Sequence, residues 1–364
     1  TDTIVDPATG ESVRLEPSIL STWVNEIRPG LRLSAFKGPD VYNLMYEARI
    51  GTVLSSRDDD YVDHRFNANG NWAMGMRHRL RAEYEFLYWH DRRGGGDPGD
   101  VSRFNLSPKP DVWRSNRLEG AYSFGAPGAR GRLDLKARFL ARRYLNNDQE
   151  LRDNDRVRLD GTFFARLRPK TSLLLDLRWE TIDYVRQSDP GSLDSEEANI
   201  FAGVTWDAAA KTRGTVKVGW LSKDFKDSDR TDIDDFAWEV DLAWSPRSYS
   251  KFSLLTKRRP AESVTDGSDA TIISSIDLDW THNWKSHLRS RLFGFASEDD
   301  FDASGRRDNR YRLGAGVFYK PRRWFELGVE YRREWRDSNF EPEALRKVIE
   351  YEDNIVLLTL DARL

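Results

Sequence analysis

Two pairs of carboxylates spaced two residues apart, Glu83/Glu85 and Asp277/Asp279, carry the residue types that cleave glycosidic bonds, one as acid and the other as base or nucleophile. Each pair sits in a run where charge recurs at every second position. The spacing therefore follows from a strand period, and catalysis is not the expectation. His64, His78, His90, His282 and His287 show no metal-ligand spacing, and the chain has no cysteine, so thiolate zinc sites, disulfides and cysteine nucleophiles are excluded. The acidic segment SSRDDDYVD (55–63) offers oxygen ligands for calcium, but a solvated loop is the simpler reading. RRGGGDPGD (92–100) is glycine-rich like a phosphate loop and lacks the Lys-Ser/Thr that completes one. No catalytic residue, metal or cofactor is expected.

What remains is a repeated arrangement of charge. In RGRLDLKARFLAR (130–142), Leu133, Leu135, Ala137, Phe139 and Ala141 alternate with Arg132, Asp134, Lys136, Arg138 and Arg142. That is a strand with one apolar and one charged face. The same alternation recurs along the chain and assigns one polar face to Arg81, Glu83, Glu85, Arg132, Asp134, Lys136, Arg138, Arg156, Arg158, Asp160, Arg166, Arg178, Arg289, Arg291, Arg310, Arg312, Glu330 and Arg332. Arginine dominates the basic members, and its planar fork binds carboxylates and stacks on flat faces. These residues either line a path for a hydroxyl-rich or anionic chain or knit neighbouring strands through ion pairs.

The connections alternate in length. Short ones carry turn residues: KGPD (37–40), MRH (76–78), APGAR (126–130), RPK (168–170), SPRS (245–248) and KPRR (320–323). Long polar ones lie at 91–111, 186–197, 258–269, 296–308 and 336–348, the last with a helix-compatible stretch, EPEALRKV (341–348). Short turns at one end and long loops at the other are the layout of an outer-membrane barrel. About 17 strand-like runs follow Trp23, and an even barrel requires one more, for which 12–23 is the candidate. The expectation is an all-β, antiparallel transmembrane barrel of 18 strands, or 16, over a single domain at 12–364 with an extension at 1–11.

The balance of residues fits that reading. With 57 basic and 60 acidic residues, the net charge of −3 gives no footprint for nucleic acid. Hydrophobic residues make up 38% and charged ones 32%, too lean for a core of this size unless the charged faces stay wet. No run approaches the roughly 18 apolar residues of a membrane helix. The opening TDTIVDPATG lacks a signal-peptide pattern, so a leader is absent or already removed. A barrel in lipid satisfies both faces at once, with the apolar face on acyl chains and the charged face on a water-filled lumen. Trp179, Trp206, Trp220, Trp244, Trp280, Tyr319 and Tyr331 stand near run ends in the apolar register, where aromatic girdles belong.

DYVDHRFNANGNWAMGMRHRLRAEYEFLYWHDRRG (60–94), with IRPGLRLSAFKG (27–38), resembles the putative beta-barrel porin 2 family through Asp60-Tyr61, Arg77-His78, His90-Asp91, Arg93-Gly94 and Pro29-Gly30. The resemblance implies a bacterial outer-membrane barrel taking part in export of an exopolysaccharide or capsular polysaccharide. It also implies a polysaccharide substrate, surrounding outer-membrane lipids and a periplasmic polysaccharide-export protein as partners. A diffusion porin for small solutes is the alternative, and 91–111 is the segment long enough to constrict one.

Overall fold

The computed structural model describes residues 2–5, 12–15, 21–91, 109–126, 128–186, 191–208, 211–262, 270–301, 305–340 and 350–363. Strands β1 (Asp2–Val5) and β2 (Ser12–Leu15) form a two-stranded sheet of their own. Eighteen further strands form one sheet: β3 (Val24–Ile27), β4 (Gly30–Lys37), β5 (Asp40–Val53), β6 (Tyr61–Met74), β7 (His78–Asp91), β8 (Asp111–Phe124), β9 (Gly131–Tyr144), β10 (Asn154–Arg168), β11 (Thr171–Tyr184), β12 (Ser195–Ala208), β13 (Thr212–Phe225), β14 (Ile233–Arg247), β15 (Ser250–Glu262), β16 (Ala270–Lys285), β17 (Leu288–Phe301), β18 (Arg306–Arg322), β19 (Phe325–Ser338) and β20 (Tyr351–Ala362). Neighbours in sequence are neighbours in the sheet, and the order is that of a closed barrel.

The eighteen strand segments match the expected number, but two of them, β3 and β4, lie end to end as one stave of the sheet. The segment 12–23 does not supply the extra strand, because Ser12–Leu15 pairs back onto Asp2–Val5. Instead the first barrel strand is broken in two. Both pieces pair with β5 in one unbroken register, Ile27 opposite Ile50 and Gly30 opposite Glu47. The break falls at Arg28-Pro29, where proline has no N–H to donate and its carbonyl accepts from the Ala48 N–H at 3.0 Å.

Two turns also move. SPRS and KPRR read as turns, yet Pro246 and Pro321 lie inside β14 and β18, and the chain reverses two residues later. Register shifts at Trp244/Arg247 and Tyr319/Arg322 absorb them, since a bulge tolerates a residue without a ladder donor. In the turns after β4 and β6, Gly38 and Gly75 adopt φ values of 57° and 74°, which only glycine takes without strain. The loop expected at 296–308 is mostly strand: β17 continues to Phe301 and β18 begins at Arg306. Its polarity reflects strand ends carrying charge on both faces. Most of the 91–111 loop and the 341–348 stretch fall outside the described residues.

By its internal contacts the chain divides into two units, residues 1–165, 175–200 and 221–235, and residues 166–174, 201–220 and 236–364. In each, the apolar register is the exposed one. Leu135 and Phe139 in the first are each 44% exposed, and Leu313, Val329 and Leu358 in the second reach 56%, 54% and 68%. Exposed apolar faces of this kind are unfavourable in water and suit acyl chains. Trp179, Trp220, Trp244, Tyr319 and Tyr331 belong to the same exposed face. Trp244, Phe252 and Trp280 stack there with ring centroids 5.1 and 5.8 Å apart.

Candidate translocation lumen

Strand pleating sends the charged register to the face opposite that band, so the lining follows from the period and its pairing from the register. In the first unit β9 and β10 set Arg138 opposite Arg158, Lys136 opposite Asp160, Asp134 opposite Thr162 and Arg132 opposite Phe164. Like charges face each other at Arg138/Arg158, and each turns to a carboxylate elsewhere. Arg138 reaches Glu119 on β8 at 3.0 Å. Arg158 bridges Asp160 at 2.8 Å and Glu180 at 3.2 Å. Arg132 pairs with Asp134 at 3.1 Å and lies 4.0 Å over the Phe164 ring. Lys136 stands 3.8 Å from Asp160, and Arg178 contacts Asp176 at 2.7 Å. Arg156 donates to Asn154 Oδ1 at 2.9 Å.

On β6 to β8 the charges form a chain. Arg65 grips Glu85 at 2.6 Å, Arg117 bridges Glu85 and Glu83 at 3.0 and 2.9 Å, and Arg81 closes on Glu83. The carboxylates whose spacing suggested glycoside chemistry are thus held by guanidinium groups. Asp279 is likewise held by Arg291 at 2.5 Å. Toward the long-loop end of this unit, His90 Nδ1 lies 2.7 Å from Asp63 Oδ1 and its ring stacks on Tyr61 at 4.0 Å. Asp63, His90, Tyr61 and Trp89 help to line a cleft of about 450 Å³.

The second unit repeats the design on β16 to β19. Arg289 pairs with Glu326 at 2.9 Å, Arg291 also approaches Glu330 at 3.8 Å, and Arg312 and Arg332 share Glu334, each at 2.8 Å. Arg310 meets Asp299 at 2.9 Å. Above them Asp308, fully buried, receives Arg306 at 2.6 Å, Arg336 and the Ser338 hydroxyl. Arg166, on β10, keeps the register of Arg156 and Arg158 and is exposed.

The expected residues therefore share the charged face, and nearly all are engaged in pairs. The alternation did not disclose their partners Arg65, Arg117, Glu119 and Glu334, nor the buried Asp299, Asp308 and Arg336. Glu119 was legible in principle, three residues before Tyr122 in the polar run of β8. Lys223 was also missed; it is fully buried and donates to Ser195 Oγ at 2.9 Å and Glu197 at 3.1 Å. Outside the strands, burial raises the Asp153 carboxyl above its ordinary value while the Tyr144 N–H donates to its Oδ1 at 2.6 Å.

A family model described as Putative beta-barrel porin 2 matches residues 126–364, beyond the 27–94 segments that suggested the likeness. Among solved structures, the FrpB iron transporter from Neisseria meningitidis aligns with a TM-score of 0.55 at 10% identity, over 94% of this chain and 66% of that one. A second FrpB variant gives 0.50 at 12%, over 88% and 61%. A mutant of the ferric enterobactin receptor PfeA from Pseudomonas aeruginosa gives 0.51 at 10%, over 95% and 70%. The chain thus spans about two thirds of the length of these proteins, and the likeness is one of fold. No protein with a curated description matches the sequence significantly.

Proposed function

The chain belongs to the Putative beta-barrel porin 2 family, a barrel of the bacterial outer membrane, and from that premise we propose that it conducts a secreted exopolysaccharide or capsular polysaccharide through its charged lumen. One observation carries this reading: the lumen face is covered by cross-strand arginine–carboxylate pairs rather than by one concentrated site. Paired charges leave donors and acceptors for hydroxyl groups but little net field. A moving polymer needs many weak, exchangeable contacts, because a single tight site would hold it. The reading includes no catalysis, and it includes a periplasmic export protein that delivers the polymer to the short-turn end.

Deleting the gene in its native host tests this. The expected result is loss of extracellular polymer with retention of polymer in the envelope, restored by the full chain. Unchanged secretion, with slower uptake of small solutes, would replace this reading by that of a diffusion porin.

A further inference from the structure

Three phenylalanines interrupt the charge on the lumen face of β17 and β18. Phe293 and Phe295 occupy the register of Arg289 and Arg291, and Phe318 that of Arg310 and Arg312. The alternation would place polar groups there. An apolar ring in a wet lining gains nothing from lipid and only part of its burial free energy. Their surroundings explain how they are held. Across the ladder Phe293 faces Gly314, Arg291 faces Gly316, and Phe318 faces Gly328 on β19. A Cβ on Gly314 would fall 2.2 Å from Cζ of Phe293. One on Gly316 would meet Phe318 Cε2 at 3.0 Å, and one on Gly328 would meet its Cδ1 at 2.7 Å. Each of these two rings thus lies against backbone that only glycine leaves bare, flat on the wall rather than projecting into the bore.

The edges of the rings are polar. Arg289 lies 4.0 Å over the Phe318 ring, Arg291 4.6 Å over Phe293, and Arg312 5.6 Å from the Phe295 centroid. The same arginines hold Glu326, Asp279 and Glu334. Donors and acceptors of both signs therefore frame three half-exposed aromatic faces. Filling space above glycine accounts for Phe293 and Phe318, whereas Phe295 faces Arg312 across the ladder.

We propose that Phe293, Phe295 and Phe318 form a stacking track for the pyranose rings of an uncharged, hydroxyl-rich glycan. A pyranose ring has an apolar C–H face and a rim of hydroxyl groups, and this patch offers the complement of both. The ring face displaces a guanidinium from a phenyl group, a contact that is weak where water has access. The arginine, still paired with its carboxylate, then donates to the hydroxyl rim. Because arginines and carboxylates alternate in the frame, a uniformly anionic glycan gains no advantage there. The proposal rests on the reading above only for the class of solute.

Binding of cellohexaose and of the anionic hexamer of galacturonate to the detergent-solubilised full chain, by calorimetry, tests it. Cellohexaose should bind, and galacturonate hexamer should bind no more tightly. Replacing all three residues by leucine (F293L, F295L, F318L) keeps apolar volume on the glycines and removes the flat faces; cellohexaose affinity should fall about ten-fold or more, while the triple tyrosine variant should retain it. F295L alone, at a position opposite Arg312 rather than a glycine, should weaken binding with the barrel's heat-modifiable migration unchanged. No binding by the wild type, equal binding by the leucine and wild-type proteins, or markedly tighter binding of galacturonate would overturn the track. Intact sugar binding in a host whose polymer secretion survives deletion would leave the track standing and remove the export reading instead.

Discussion

Asp308 concentrates the cost of placing charge inside a wall. It is fully buried, and Arg306 and Arg336 converge on it. Removing the carboxylate strands two guanidinium groups, so Asp308→Ala should destabilise the barrel by about 3–5 kcal/mol in urea refolding. Glu326→Ala, at a pair whose members are about one third exposed, should cost less than about 1 kcal/mol. Asp153 supplies a test by pH. Its folded value is raised, chiefly by burial, so the fold favours the protonated acid. Its contribution is therefore fully present below the unfolded value and is lost as pH rises through the raised one. Corrected for intrinsic exchange, protection of the Tyr144 amide should fall across that window, and Asp153→Asn should flatten the dependence. Protection that increases with pH would contradict this assignment. The face of each charged residue was legible from a period of two, whereas partners such as Arg138 with Glu119 were not. Pairing depends on cross-strand register, which the turns set.

At the scale of one strand, β9 shows what alternation determines. Leu135→Arg or Phe139→Arg puts a charge in the acyl band and should cost roughly 2–4 kcal/mol of insertion stability near the midplane. Asp134→Ala and Lys136→Ala, on the wet face, should insert normally. Equal defects in the two groups, measured by folding into vesicles, would mean the faces are reversed. The middle of each strand was readable because lipid demands apolar residues there. Strand ends were not: the 296–301 and 306–308 stretches read as loop because beyond the lipid band nothing requires one face to be apolar. Pro246 and Pro321 misled in the opposite direction, since a bulge lets proline remain inside a strand. The split of the first strand at Pro29 was hidden because the register runs unbroken from Ile27 to Gly30, so the alternation continues across it.

For the whole molecule, a net charge of −3 beside 57 basic and 60 acidic residues describes a chain crowded with charge yet nearly neutral. In detergent the protein should be mostly antiparallel strand by circular dichroism and should migrate differently on gels before and after heating; substantial helix would refute the fold. The phenylalanine track was not read from the sequence because Phe293 and Phe295 look like ordinary apolar residues until the register places them among arginines. The central claim is that the lumen charges act together as a path. It is tested most directly by the rate of polymer secretion from cells carrying Arg138→Gln, Arg158→Gln and Arg166→Gln singly and combined, at matched amounts of heat-modifiable barrel. The account predicts near wild-type rates for each single change and a several-fold reduction for the triple variant. A triple variant that assembles normally and secretes at the wild-type rate would contradict it.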